Sequence, residues 1–151
     1  VAESKRRREK TAGKLSPKHV LVPIDFLAAS EKALRQALSL AGKASRITLL
    51  HVISPALGID QQISARVADA NRRLTAFREK SGDGFDQSID ILVRTGVPFQ
   101  EILKVAEEDN VEMIVLGVND SGPLAGIELG RTIERVSRYA RCPVLLARQS
   151  E

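Results

Sequence analysis

Residues 111–148 read VEMIVLG, then VNDSGPLAGIEL, then GRTIERVSRYARCPVLLAR, and the order of these three pieces decides the fold. The first is a short run of large apolar residues that stops at Gly117. The second contains Gly, Pro and Asp and reads as a loop. The third resumes apolar residues at helical spacing after Gly130, meets Pro143, and continues into Val144, Leu145 and Leu146. An apolar run followed by glycine predicts a strand buried on both faces, with a turn at its carboxyl end that a Cβ would hinder. Pro143 ends the predicted helix, since proline has no N–H to give it. The stretch is therefore a β-loop-α-β unit whose loop lies where such folds hold ligands.

Working outward to the start of the chain, residues 19–26, HVLVPIDF, form the first predicted strand, with Asp25 near its carboxyl end. A carboxylate there suits a cap or loop hydrogen bond for the next helix, or an acceptor for a ligand hydroxyl. Ser30 stands at the N-cap position of a helix whose buried side is Ala33, Leu34, Ala37, Leu38 and Ala41, and Gly42 supplies its stop. RITLLHVI, residues 46–53, is the second strand. A helical connection makes it parallel to the first by a right-handed crossover. His51 within it has no Cys, His or Glu at ligand spacing and reads as a core or strand-edge histidine.

Ile63, Val67, Ala70, Leu74 and Phe77 mark an amphipathic helix laid on a sheet. Ile89, Ile91 and Val93 then alternate with Asp90, Leu92 and Arg94 in a third strand, which suggests an edge position. After Gly96, Pro98 suits the first turn of a helix that buries Ile102, Leu103, Val105 and Ala106. The fourth strand covers residues 111–116. Alternating β and α segments give a single-domain, doubly wound parallel α/β sheet with helices on both faces. If strands one and four are neighbours, Asp25 and the loop after Gly117 face one crevice.

The 151 residues fit one domain, and 43% hydrophobic with 28% charged content is ordinary for a soluble protein. No apolar run approaches the ~20 residues that cross a bilayer. The net charge of +4 lies wholly in residues 1–16, which carry six basic and two acidic side chains. The expected organisation is thus a basic flexible arm over 1–16 and a formally neutral folded domain over 17–151. Aromatics are 3% of the chain, so platforms for stacking bases are scarce and nucleic acid is not the expected partner. Cys142 is the single cysteine, which excludes an internal disulfide and points to the cytoplasm. Cys142, His19 and His51 do not assemble into a nucleophile, base and orienter, so the reading is not of an enzyme. Val1 is not methionine, which leaves open a larger parent, a transporter or kinase for instance.

The pieces VPIDF, SEKALRQALSLA, LLHVI, the GVP turn, MIVLG and GRTIERVSRYARCPVLLA, in this order and spacing, resemble the universal stress protein family over residues 18–148. The resemblance implies a five-stranded parallel sheet in the order 3-2-1-4-5, of the adenine-nucleotide alpha-hydrolase-like type. It also implies a stress-response or regulatory module, with ATP or AMP as the candidate ligands and an unidentified protein partner. In nucleotide-binding members the carboxylate ending strand one holds the ribose and a residue ending strand two contacts the base, positions that match Asp25 and Val52. Pro23, Ile24 and Leu116 match the walls.

A phosphate-cradling loop of the pattern G, two residues, G, nine residues, G, then Ser or Thr matches Gly117 and Gly130 in register. Asp120 replaces the middle glycine and Arg131 the hydroxyl residue, with Thr132 one position late. A carboxylate ~4 Å from a phosphate costs ~1 to ~4 kcal/mol as the effective dielectric falls from ~80 to ~20, so Asp120 argues against tight triphosphate binding. Arg131 either pairs a phosphate or folds back onto Asp120 or Asp25. The expectation is a modified crevice that binds ATP weakly or not at all, with genuine ATP binding as the alternative. Gly117 and Gly130 also fit as turns that the fold needs whatever the ligand. The last strand, residues 143–148, is short, apolar and at a sheet edge, and is the expected surface of a homodimer.

Overall fold

The computed structural model describes residues 16–55, 62–119 and 130–148. Asp120 and the arm before residue 16 lie outside them. Five parallel strands, β1 (His19–Pro23), β2 (Arg46–Ile53), β3 (Ser88–Thr95), β4 (Met113–Val118) and β5 (Val144–Arg148), form one sheet in the order β3-β2-β1-β4-β5. The order is the one the family resemblance implies. Helices α1 (Ala28–Leu40) and α2 (Ile63–Ser81) pack on one face, and α3 (Pro98–Glu108) and α4 (Arg131–Tyr139) on the other.

Each face of the sheet has its own core. Val20, Val22, Leu49 and Val115 meet Leu34 and Leu38 of α1 and Leu74 of α2. Leu21, Leu50, Ile114 and Leu116 meet Ile102 and Val105 of α3 and Val136 of α4. Successive residues of β1 therefore go to opposite cores, which is why the run is apolar without alternation. β3 does lie at an edge. Its residues 89–94 are all half-buried, so the periodicity there reflects partial cover on both faces rather than one wet face.

The expected boundaries shift where backbone conformation intervenes. β1 stops at Pro23 because the chain turns at Phe26, a non-glycine residue at φ 63°. Its ring is held by the His51 ring, centroids 4.6 Å apart, and by the Arg73 guanidinium 4.1 Å away, contacts that offset the strain. Ser30 is not the N-cap of α1. Leu27 is, and Ser30 sits in the first turn. Helix α1 stops at an extended Ala41, with no left-handed residue at Gly42. Likewise α4 ends at Tyr139, four residues before Pro143, with Ala140 extended.

Gly117 is the most instructive correction. It does not end its strand in a turn but lies inside β4, where a Cβ would fall 2.6 Å from the carbonyl carbon of Ala29 and closer still to its oxygen. Only glycine lets the first turn of α1 rest against β4. This contact places the N-terminus of α1 beside the carboxyl ends of the two central strands.

Candidate functional site

The chain between β1 and α1 is bound back on itself by Asp25. Its Oδ1 accepts the Leu27 N–H at 2.9 Å and the Ser30 hydroxyl at 2.7 Å, and Ser30 Oγ in turn accepts the Asp25 N–H at 3.1 Å. The loop reading of this carboxylate is thus correct for one oxygen, and the cap reading is not, since the N-cap is Leu27 with no side-chain cap hydrogen bond. Oδ2 accepts one further bond, at 3.3 Å, from the side-chain amide of Asn119, and the Asn119 oxygen accepts the Ala29 N–H at 3.1 Å. Asn119 therefore ties the end of β4 to the start of α1 and to Asp25 together.

These groups border a cavity of about 380 Å³. Nine of the ten residues expected at the site line it: Pro23, Ile24, Asp25, Val52, Leu116, Gly117, Gly130, Arg131 and Thr132. The tenth, Asp120, lies outside the described residues. The gathering follows from topology. β1 and β4 are neighbours at the point where strand order reverses, and their carboxyl ends diverge around a crevice.

Ser30, Ile133 and Asn119 also line the cavity and were not expected. Asn119 had a signal, since it stands two residues past Gly117 on the same side of the sheet as Asp25. Ser30 had one too, misread as a cap.

Gly130 enters α4 at φ 46° and ψ 152°, a conformation that strains any residue with a Cβ, although the space beside it is open. It therefore serves a turn at the rim of the cavity. Arg131 is exposed and makes no hydrogen bond or ion pair with any described residue. Asp25 finds its partners in Leu27, Ser30 and Asn119, so the expected fold-back of Arg131 onto Asp25 is not what the structure has. The guanidinium stands at the crevice with no partner among the described residues.

The two histidines are held apart. His51 is half-buried, and its Nδ1–H donates to the Ile24 carbonyl at 2.7 Å, which agrees with the strand-edge reading. His19 is buried at the opposite end of the sheet between Thr48 and the Asp109 carbonyl. Cys142 borders neither, and burial pushes its thiol up from the ordinary value. Among the described residues no three or more His, Cys, Asp or Glu side chains come together as metal ligands.

The family model of the universal stress protein family matches residues 17–148. The chain belongs to this family. It is 26% identical over 155 residues to universal stress protein MJ0577 of Methanocaldococcus jannaschii, covering 87% of this chain and 95% of that one. It is 28% identical over 145 residues to universal stress protein YxiE of Bacillus subtilis, covering 85% and 97%. The solved structure of MJ0577 superposes with a TM-score of 0.71 over 89% of this chain and 97% of that chain. A universal stress protein solved in complex with cAMP shares the fold at 22% identity, with a TM-score of 0.62 over 89% and 99%. Family membership accounts for the sheet order. No described helix is long and apolar enough to cross a membrane.

Proposed function

We propose that this universal stress protein is a regulatory binding module whose crevice takes an adenine nucleotide with a short phosphate chain, AMP in preference to ATP. The observation that carries the reading is the cavity itself: Asp25 with acceptor capacity left on one wall, and Arg131 with no partner among the described residues on another. A carboxylate that still accepts a hydroxyl and a guanidinium that still donates to an anion suit the two ends of a nucleoside monophosphate. The apolar walls Ile24, Val52 and Leu116 suit the base between them. A volume of about 380 Å³ is near the lower end of the ~300–1,000 Å³ typical of ligand pockets, which favours the shorter ligand. By the family resemblance Asp120 stands where the phosphate loop has a glycine, and a carboxylate there would oppose a longer phosphate chain.

Calorimetry with AMP and with ATP tests this. Binding of AMP tighter than ATP is the expected result, and no heat from either at millimolar nucleotide overturns the reading. Binding without chemistry is favoured because His19, His51 and Cys142 stand at three separate places, two of them away from the crevice. Incubation with ATP should yield no product beyond a buffer control.

The half-buried Val144, Leu145 and Leu146 on edge strand β5 support a homodimer paired through that strand. Light scattering at tens of micromolar should show a dimer that Leu145→Lys or Leu146→Lys shifts toward monomer.

A further inference from the structure

Helix α2 and its cap residue Gln62 carry one stripe of two characters. Gln62, Arg66, Asp69, Arg73 and Phe77 recur at spacings of four, three, four and four, which sets them along a single side of the helix. At Phe77 that side packs on the core. Toward the amino end it borders a cavity of about 500 Å³ instead, closed on the other side by His51 and Ile53 at the end of β2. An amphipathic helix laid on a sheet keeps its inward side apolar, and this one turns charged where the strand ends.

Two guanidiniums, of Arg66 and Arg73, line the cavity against one carboxylate, of Asp69. Asp69 already pairs with Arg72, at 3.4 Å. Both lining arginines are held by groups that bear no charge. Arg66 Nη1 donates to the Ser54 carbonyl at 3.1 Å, and the Arg73 guanidinium lies 4.1 Å from the centre of the Phe26 ring. A guanidinium has five N–H donors, so each contact fixes the head group and leaves most of its donors over. Neither arginine has an ion-pair partner among the described residues.

From this we infer that the cleft between α2 and β2 is a second binding site, for a phosphate monoester. A tetrahedral dianion offers three oxygens to donors arriving from two sides, whereas a carboxylate offers two in one plane. Ile53, Ala65 and Ala70 make the remaining walls apolar, which suits the organic part of an ester. Of the described residues around the cleft only His51 also borders the nucleotide crevice, so the inference goes beyond the nucleotide reading and does not rest on it.

The test combines calorimetry with NMR of the two histidine rings, using inorganic phosphate and glycerol 3-phosphate as probes at low salt. Both probes should bind, the ester more tightly, and both should move the His51 ring resonances. Those of His19, buried at the far end of the sheet, should stay put. Arg66→Gln and Arg73→Gln should each weaken the ester about fivefold, and Asp69→Asn should tighten it about twofold by removing the one opposing charge. No heat and no movement of His51 with either probe at about 10 mM overturns the inference, because a site that weak is worth less than about 3 kcal/mol. Binding that the two arginine variants leave unchanged overturns it as well, and an ester weaker than the inorganic ion overturns the class of ligand. Should Arg73→Gln unsettle Phe26, Arg66→Gln decides alone, since that guanidinium touches only the Ser54 carbonyl among the described residues. AMP is itself a phosphate monoester and separates the two sites. AMP binding weakened by Arg131→Ser and kept in the Arg66→Gln, Arg73→Gln double variant belongs to the crevice and upholds both readings when the ester has bound. AMP binding lost only in the double variant belongs to the cleft, which overturns the nucleotide reading and supports this one.

Discussion

The two ends of β1 carry polar residues that meet opposite fates. At the amino end His19 is buried with both ring nitrogens engaged, by Thr48 Oγ1 at 2.7 Å and the Asp109 carbonyl at 3.2 Å. Close by, the Ser45 hydroxyl donates to the Pro17 carbonyl at 2.7 Å. At the carboxyl end Asp25 is exposed, its partners among the described residues leave acceptor capacity on Oδ2, and an arginine with no partner among the described residues shares its cavity. Within six positions, from His19 to Asp25, the chain thus passes from a closed polar cluster to an open one. A polar side chain fully satisfied by its own chain is there for the fold. One left with capacity, beside a cavity, is what the proposed binding function rests on.

The largest expected effect breaks the link between the two roles. Gly117→Ala forces a Cβ into the Ala29 backbone, so it should cost about 1–3 kcal/mol in denaturant unfolding and lower the affinity for AMP as α1 moves off Asn119. Next, His19→Ala leaves the Thr48 hydroxyl buried without its partner. It should cost a similar ~1–3 kcal/mol while the affinity of the folded protein for AMP stays within twofold of native. Asp25→Ala should do the reverse, weakening AMP about tenfold while costing less stability than His19→Ala, because the bonds it accepts from Leu27 and Asn119 are solvent-exposed and only the one from Ser30 is part-buried. A large loss of stability with Asp25→Ala, or of binding with His19→Ala, would erase the contrast between the ends. Smallest is Arg131→Ser, which should weaken AMP several-fold at low salt and by less at high salt, since an exposed ion pair is screened.

What the sequence could tell followed from how local the cause was. β1 and β4 showed themselves as apolar runs because both faces of each are covered, and the crossing of strand order came with the family resemblance. The walls of the crevice were legible for the same reason, as the residues that end those strands. Gly117 was found but explained wrongly, since the need for glycine arises from Ala29, 88 positions away, and no local pattern records that approach. Ser30 sat one turn from where a cap would be, and its real partner, Asp25, is set by the left-handed turn at Phe26. Asn119 escaped because its importance is geometric: it becomes visible only when β4 lies beside β1. Arg131 was read as either a phosphate partner or a plug on Asp120 or Asp25; it makes no ion pair with Asp25, and Asp120 lies outside the described residues.

The pairing of β1 with β4 also sets when the crevice can exist. β1 takes β2 on one side within some thirty residues of chain, in register from His19 with Arg46, but its other neighbour is β4, where Val20 meets Met113. As the polypeptide emerges from the ribosome, Pro23, Ile24, Asp25 and Val52 are all present long before Leu116, Asn119 and Arg131 are made. Throughout that interval the central strand has a bare edge and the crevice has half its walls. Contacts of such long range close late in folding. The crevice therefore has its full set of walls only in the finished domain, and under the nucleotide reading proposed above a nucleotide present during synthesis would favour the one pairing that covers the exposed strand.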